Sequence, residues 1–577
     1  MNFSYLMQGH SDLSAPFDCS GFMIERLQVS EAEEYEEGDV SREQHLEKLK
    51  AGHTFDLLII GGGATGCGVA LDAATRGLKV ALVEKNDFSE GTSSRSTKLV
   101  HGGVRYLEAA VKKLDRVQYH LVRDGLKERY RLLKNAPHLS NRLALVTPLY
   151  RWIDVPYVFI GLKLYDLLSG KRHIGHSQLL SRKEALRRFP MLKAEGLKAG
   201  VLYYDGQFHD ARMALSLALT AQHHGATISN HVAVTGLIKR DDKICGAEVT
   251  DSLTGESWTI HARGVINATG PFADRIRQMD NPAASEIIYT STGIHIVLDK
   301  RFTLPDTGLM IPETEDGRVL FVLPWEDHAL IGTTDEPAAI TEHPKPLDSE
   351  IEYLLRHVSR YFNLKVERSD IKAAWSGLRP LVKDPEAVNT ASLARDHVIE
   401  LSADGLLTIA GGKWTTYREM AMDAVDQALN CFLIEAPNPD CQTRHLTVLG
   451  GANYYEEGDQ FLIEKYGFAA DVAAYLHRTY GDQAELVARL NTPQDGIRLV
   501  DGYPILEAEV LYAVRYEMAE RVIDVLARRT PLALIDNAAA RSAVPRVLEI
   551  MAEELGWDQR RCAEETQLAV QRLSEGL

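Results

Sequence analysis

The alternation of apolar and polar positions is most informative near residue 55. Residues 55–60 (FDLLII) form a short apolar run rich in β-formers, and a second such run occupies 78–84 (LKVALVE). Between them lie Gly61-Gly62-Gly63-Ala64-Thr65-Gly66 and a stretch with helical spacing to Arg76. The pattern predicts strand, glycine turn, helix and strand, a βαβ unit. Further apolar runs at 264–268, 319–324, 329–332 and 406–410 predict strands. They are spread so widely that the nucleotide domain must be assembled from separated segments. Helices are predicted over 104–134, closed by Pro137, and over 211–224, closed by Gly225. A Pro- and Asn-rich linker near 436 introduces a mainly helical region to residue 577, clearest at 507–529 and 539–555. We divide the chain into an acidic flexible leader (1–52), discontinuous cofactor and substrate domains (53–435) and a separate C-terminal helical domain (436–577). The cofactor part takes about 53–135, 200–275 and 370–435.

Composition narrows the function. With 577 residues, 45% hydrophobic and 25% charged, the chain has material for more than one core. The formal charge is −17, from 64 Lys and Arg against 81 Asp and Glu, a balance that repels nucleic acid phosphates. Six scattered cysteines show no C-x-x-C and no metal spacing, so neither a disulfide framework nor a metal site is expected. No apolar run is long enough to span a bilayer. Residues 31–50 carry eight acids and three bases, as in a solvated leader.

Gly61, Gly63 and Gly66 form G-x-G-x-x-G between strand and helix, and Glu84 closes the next strand. The first glycine permits the tight turn, the second a close approach to a pyrophosphate, and the third close helix packing. The pyrophosphate then lies at the helix N-terminus beside Ala64 and Thr65, and Glu84 can accept from ribose hydroxyls. An acid at this position disfavours a 2′-phosphate. The following Gly91-Thr92-Ser93-Ser94-Arg95-Ser96-Thr97-Lys98 is rich in donors, suiting a flavin dinucleotide with its ribityl chain. We select Thr92, Ser93, Ser94, Ser96 and Lys98 as cofactor contacts. Glycines at later strand ends, in Asn267-Ala268-Thr269-Gly270 and Gly411-Gly412-Lys413, add Thr269, Gly270, Gly412 and Lys413. Cys67, inside the glycine turn, reads as a packing residue.

These segments, with TSSRSTKLVHGGVRYLE (92–108), YYDGQFHDARM (203–213), VINATGPFAD (265–274), GIHIVL (293–298), LPWEDHALIGTTDEP (323–337), AAWSGLRPLV (373–382) and LLTIAGGKWTTYREMA (406–421), closely resemble the FAD-dependent glycerol-3-phosphate dehydrogenases. The resemblance spans about residues 55–577 and is nearer to the mitochondrial type, although the leader lacks transit character and the C-terminus lacks a calcium loop. It implies an α/β fold plus a helical domain: a glutathione-reductase-like, Rossmann FAD-binding domain, an antiparallel-sheet substrate domain and a C-terminal helical cap. It also implies hydride transfer from C2 of sn-glycerol 3-phosphate to FAD, dihydroxyacetone phosphate as product, and a membrane quinone as acceptor. A homodimer is expected.

A dianionic phosphate calls for permanently charged, bidentate donors. Candidates are Arg379 in SGLRP, Arg395 in ARDH and Arg105 in HGGVRY, each an ordinary surface arginine by sequence alone. The resemblance places Arg105 and Arg379 in the substrate pocket, with Tyr106 and Thr415 beside them. Alcohol oxidation also needs a base. His295, in an apolar strand, would ordinarily be a satisfied core residue; by resemblance it faces the substrate and is our leading base, with His101 second. Lys413 could bind substrate or steady reduced flavin.

Charge is segregated. Residues 105–198 hold 20 Lys and Arg against 8 Asp and Glu, a +12 segment in a remainder of −29. Within it, 143–168 (LALVTPLYRWIDVPYVFIGLKLYDLL), flanked by Lys171 and Arg172, suits a monotopic element on an anionic lipid surface. The expected location is the cytoplasmic face of a bacterial inner membrane, with the mitochondrial inner membrane as the alternative. Three readings stay open beside the quinone-linked enzyme: an oxidase passing electrons to oxygen, an amine or amino-acid oxidase, and a flavin-binding interaction protein.

Overall fold

The apolar run at 55–60 is strand β1 (Thr54–Ile60), preceded by helix α1 (Arg42–Lys50). The computed structural model describes residues 41–103, 116–312, 314–315, 317–383, 397–491 and 496–576. β1 leads through the glycine turn into α2 (Ala64–Thr75) and then β2 (Val80–Val83), parallel to β1 with Leu57 opposite Val80. Gly61 has a φ of 108°, in the region that favours glycine. A Cβ on Gly66 would lie 1.8 Å from the Gly61 carbonyl oxygen, so helix and strand can meet this closely only without a side chain there.

The chain next visits a second sheet through β3 (Leu99–Val100), α3 (Arg116–Asn135), β4 (Ser140–Leu149), α4 (Asp154–Ser169), β5 (Gln178–Ser181) and β6 (Ala199–Phe208). It returns by α5 (Asp210–His223) to β7 (Thr227–Ser229), β8 (Val232–Arg240), β9 (Lys243–Asp251) and β10 (Ser257–Asn267). A second excursion builds β11 (Ile288–Asp299), β12 (Thr307–Ile311), β13 (Leu320–Trp325), β14 (His328–Gly332), β15 (Glu336–Pro337), α6 (Asp348–Tyr361) and β16 (Ile371–Val382). β17 (His397–Leu401), β18 (Leu406–Gly411) and α7 (Tyr417–Cys431) complete the nucleotide layer. The C-terminal region is helical, including α8 (Glu507–Glu517), α9 (Asn537–Leu555) and α10 (Gln559–Glu575).

The first sheet runs β17-β18-β10-β1-β2-β7, with β9 and β8 attached beside β10. Its core strands are parallel and buried on both faces, the usual reason for continuous apolar runs. Residues of α2, α5 and α7 pack with Leu57, Ile59 and Ile266 in one cluster. Residues of α1, β8 and β9 pack with Leu58, Val83 and Val265 in another. The second sheet runs β15-β11-β14-β13-β12-β4-β6-β3, with β16 against β11 and β5 against β6. Alternation splits β11: Ile294 and Ile296 pack in a cluster with Leu354 of α6, while Val297 joins the cluster of the C-terminal helices.

Several expectations need correction. Residues 42–50 of the supposed leader are helical and anchored: Leu46 and Leu49 are buried, and Arg42 pairs with Asp251 at 3.0 Å. Residues 1–40 lie outside the described residues, as does 104–115 of the predicted first long helix. β6 and β16, assigned to the cofactor part, belong to the second sheet. The C-terminal helices pack onto that sheet, Leu526, Leu534 and Val544 sharing one core with Leu323, Val297 and Trp375. The helix predicted over 507–529 breaks at Met518, whose φ is 54°, and resumes as a short helix and a π-turn.

Candidate active site

Both sheets contribute to one cavity of about 710 Å³, within the usual range for small-molecule sites. Its first wall is the glycine turn, where Gly61, Gly63, Ala64 and Thr65 line the cavity. Gly63 is the N-cap of α2 and offers no side chain to the opening N–H groups, leaving a donor-rich helix terminus of the kind that holds phosphate. Glu84 is fixed beside it, accepting from the Gly62 N–H at 2.6 Å and the Asn86 N–H at 2.9 Å. Burial holds its carboxyl above the usual range, against the pull of those two donors.

The segment 91–97 forms the next wall. Ser93 Oγ accepts from the Ala64 N–H at 2.9 Å, and the Ser93 carbonyl accepts from the Trp414 indole at 2.8 Å. Thr92 Oγ1 donates to the Leu378 carbonyl at 2.6 Å, stitching this segment to β16. Thr92, Ser93, Ser96, Thr269, Gly270, Gly412 and Lys413 all reach the cavity, as do His101 and Thr415. His101 and Thr415 also bond each other, the His101 N–H donating to Thr415 Oγ1 at 3.3 Å.

Three of the predicted cofactor contacts lie behind this lining. Gly66 serves helix packing, and Ser94 is buried with its carbonyl accepting from Lys98 Nζ at 2.7 Å. Lys98 is fully buried and paired with Asp210 at 2.5 Å, so it is not a wall residue. Arg105, Tyr106 and Arg395 lie outside the described residues.

The third wall comes from β11 and β16. Their register sets Gly293 opposite Gly377, His295 opposite Trp375 and Ser291 opposite Arg379. Period-two alternation therefore brings His295 and Arg379 to the same face. The Arg379 guanidinium donates to the Thr292 and Thr334 carbonyls, to Thr333 Oγ1 and to Asp335 Oδ1, at 2.9–3.1 Å. It fits because residue 293 is glycine: a Cβ there would lie 2.2 Å from Nη2. Gly332, opposite His295 on β14, makes room in the same way, its notional Cβ 2.2 Å from the imidazole Cδ2. Neither glycine was selected from sequence, although the G-x-H spacing at 293–295 was a usable signal.

His295 stacks on Trp375 with ring centres 4.3 Å apart and shares a 2.9 Å hydrogen bond from Nε2 with Thr97 Oγ1. Its Nδ1 is buried without a partner. Burial holds its pKa well below the usual histidine value, assisted by the positive charges of Lys98 and Arg379. Arg95 also lines the cavity and was overlooked as a site residue; it donates to the Ser376 carbonyl at 3.2 Å. Burial pushes its pKa down to about 9.

The arrangement offers a dinucleotide cradle, a neutral imidazole and a fixed cation around one cavity, the requirements for removing hydride and proton from an anionic alcohol. Comparison with known proteins agrees. Residues 56–418 match a family model described as FAD dependent oxidoreductase, and residues 441–562 one described as the C-terminal domain of alpha-glycerophosphate oxidase. A Caenorhabditis elegans relative, a probable mitochondrial glycerol-3-phosphate dehydrogenase, is 50% identical over 527 residues, covering 90% of this chain and 73% of that protein. The mitochondrial glycerol-3-phosphate dehydrogenase of Rattus norvegicus is 46% identical over 547 residues, covering 92% and 75%. Among solved structures, that of the Bacillus halodurans glycerol-3-phosphate dehydrogenase complexed with FAD has a TM-score of 0.74 at 30% identity, covering 92% of this chain and 97% of that one.

Proposed function

The chain belongs to the FAD-dependent glycerol-3-phosphate dehydrogenase family, and we propose from its site that Arg379 binds the substrate phosphate while His295 takes the hydroxyl proton. The enzyme oxidises sn-glycerol 3-phosphate to dihydroxyacetone phosphate with FAD as cofactor. The observation that carries the residue assignment is the shared cavity-facing register of His295 and Arg379 on β11 and β16.

The cradle fits the cofactor. The α2 N-terminus would hold the pyrophosphate and Glu84 would accept from ribose hydroxyls, with Ser96, Thr97, Gly412 and Lys413 available to the rest of the cofactor along the cavity wall. When bound, FAD supplies the hydride acceptor.

The protein's part is charge placement and proton transfer. Arg379, held in one plane by four acceptors, presents a fixed cation to a dianion. His295 Nε2 accepts the hydroxyl proton as the C2–H bond breaks; Nδ1, sealed from the cavity, keeps its own hydrogen. A neutral imidazole is required for this, and burial beside two cations keeps it neutral at pH 7. Arrival of the phosphate dianion offsets those cations and raises its proton affinity when the base is needed. Lys413 and Thr415, which line the same cavity, complete the substrate enclosure, with Arg105 and Tyr106 assigned to it by resemblance, and His101 is the second candidate base.

We place the acceptor in the membrane, as a quinone. Among the described residues, no helix is long and apolar enough to cross a bilayer. The expected monotopic stretch divides: 143–149 is core strand β4, whereas α4 and its lead-in expose Trp152 (67%), Ile153 (69%), Tyr157 (52%), Ile160 (66%) and Leu167 (74%). Exposed apolar side chains beside Arg151, Lys163, Lys171 and Arg172 support attachment to an anionic lipid surface.

Anaerobic mixing with glycerol 3-phosphate should bleach the oxidised flavin absorbance, and adding quinone should restore it faster than adding oxygen. Absence of bleaching would refute the reading; faster return with oxygen would move the enzyme to the oxidase class.

A further inference from the structure

Lys98 is an unusual choice for the interior. Its side chain is fully buried, and burying an ammonium is costly unless it is paired and hydrogen-bonded. Its backbone adopts φ 61°, a conformation that residues other than glycine seldom take and that tends to persist where function over-determines it. The turn sends the side chain away from the cofactor cavity and in between two tryptophans, with Nζ 5.0 Å from the ring centre of Trp325 and 5.0 Å from that of Trp375.

Trp375 links this cation to the reaction centre, because the same indole carries the His295 imidazole, stacked at 4.3 Å and 24°. The indole is itself fixed, donating from Nε1 to the Leu534 carbonyl of the C-terminal region at 3.2 Å. On its other side Lys98 is held by Asp210 Oδ1 and the Ser94 carbonyl. Asp210 Oδ2 in turn accepts from the Ser96 N–H at 3.0 Å and Ser96 Oγ at 2.8 Å. One carboxylate thus fixes both the ammonium and the segment whose Thr97 bonds His295 Nε2.

We propose that Asp210, Lys98 and Trp375 form a positioning device for His295: the indole sets the plane of the imidazole, and the ammonium keeps it an empty proton acceptor until the phosphate arrives. The proposal rests on His295 being the base. The groups facing that imidazole are Thr97 from the cofactor segment, Trp375 and Arg379 from β16, Gly332 from β14, and the Lys98 ammonium, with Asp210 and His209 of the α5 N-terminus behind it and Asp335 behind Arg379. Of these, Lys98 and Arg379 act on His295 as cations and both disfavour its protonation.

The test is the pH profile of kcat/KM in the flavin-loaded enzyme. In Lys98→Met the acid limb should move up by about one pH unit, the effect of removing one nearby charge, while Lys98→Arg should restore the limb to within about a third of that shift. Where Lys98→Met does not retain flavin, the double variant Lys98→Met/Asp210→Asn, which leaves no unpaired carboxylate, is read instead and should move the limb in the same direction. A limb that stays in place in the flavin-retaining variant would overturn the proposal and leave Lys98 a structural cation. His295→Asn separates the two levels: persistence of the limb there would refute His295 as the base, whereas its loss there with an unmoved limb in the Lys98 variant would refute the positioning role alone.

Discussion

Two groups of cations sit within one fold and do opposite work. At the cavity wall, Arg379 is about a quarter exposed and lies 3.1 Å from the part-exposed carboxylate of Asp335. Where the cofactor segment meets the C-terminal region, Arg528 and Arg529 are buried and converge on Asp87 at 2.5 Å, Arg212 pairs with Glu517 at 2.7 Å, and His231 meets Asp524 at 3.0 Å. Asp87, His231 and Asp524 also have metal-ligand spacing, but the two arginines already neutralise this acid cluster. Charge matched in the interior secures the fold, whereas a cation at a cavity wall is placed where a ligand can reach it.

The comparison can be broken most severely at Arg379. Arg379→Ala should lower kcat/KM for glycerol 3-phosphate about 10³-fold, the loss of the fixed cation that attracts the substrate dianion. Its melting temperature should move by less than about 2 °C. Steady-state kinetics with a thermal melt checks both halves.

Arg529→Met should do the reverse. It leaves Asp87 with one partner fewer in the interior and should cost about 3 kcal/mol of stability, read from the denaturant midpoint. Turnover per bound flavin should stay near normal. A kinetic defect without destabilisation would erase the distinction between the two regions.

Gly293→Ala sharpens the cavity side. The new methyl would meet the Arg379 guanidinium at 2.2 Å and should cost about 10²-fold in kcat/KM by displacing it, at nearly constant stability. Structure determination of the variant would show the rotated fork.

The smallest effect concerns pH and the buried side. His138, desolvated and near Arg212, has its pKa lowered to about 3. Below the unfolded value of about 6.5 the unfolded chain gains a proton that the native chain refuses. This histidine therefore removes about 1.4 kcal/mol of stability per pH unit as pH falls from 6.5 towards 3. His138→Asn should flatten the fall of stability by about 1 kcal/mol between denaturant titrations at pH 6.5 and 5.5.

Some of this was legible in the residues. The glycine turn and Glu84 were, because a dinucleotide is held chiefly by backbone, and the backbone's needs appear as glycine at fixed spacing. His295 was singled out only by resemblance, because one histidine in an apolar strand reads as a core residue until the register of its neighbours is known. Lys98 was misplaced as a cofactor contact, since nothing local in SSRSTK reveals a turn at φ 61° that sends its side chain inward. The pairing of Arg529 with Asp87 spans 442 positions and has no signature in one chain. The apolar stretch 143–168 was read as one element because composition does not mark where a buried strand ends and an exposed helix face begins.

Recognition of the substrate by its phosphate, proposed above for Arg379, is open to direct test. The most direct measurement follows anaerobic flavin reduction against concentration for glycerol 3-phosphate and for glycerol, in the wild type and in Arg379→Ala. Rapid, saturable bleaching by glycerol 3-phosphate is expected in the wild type, with almost none by glycerol, and a collapse of that preference in the variant. A variant that kept the wild-type preference for the phosphorylated alcohol would contradict it.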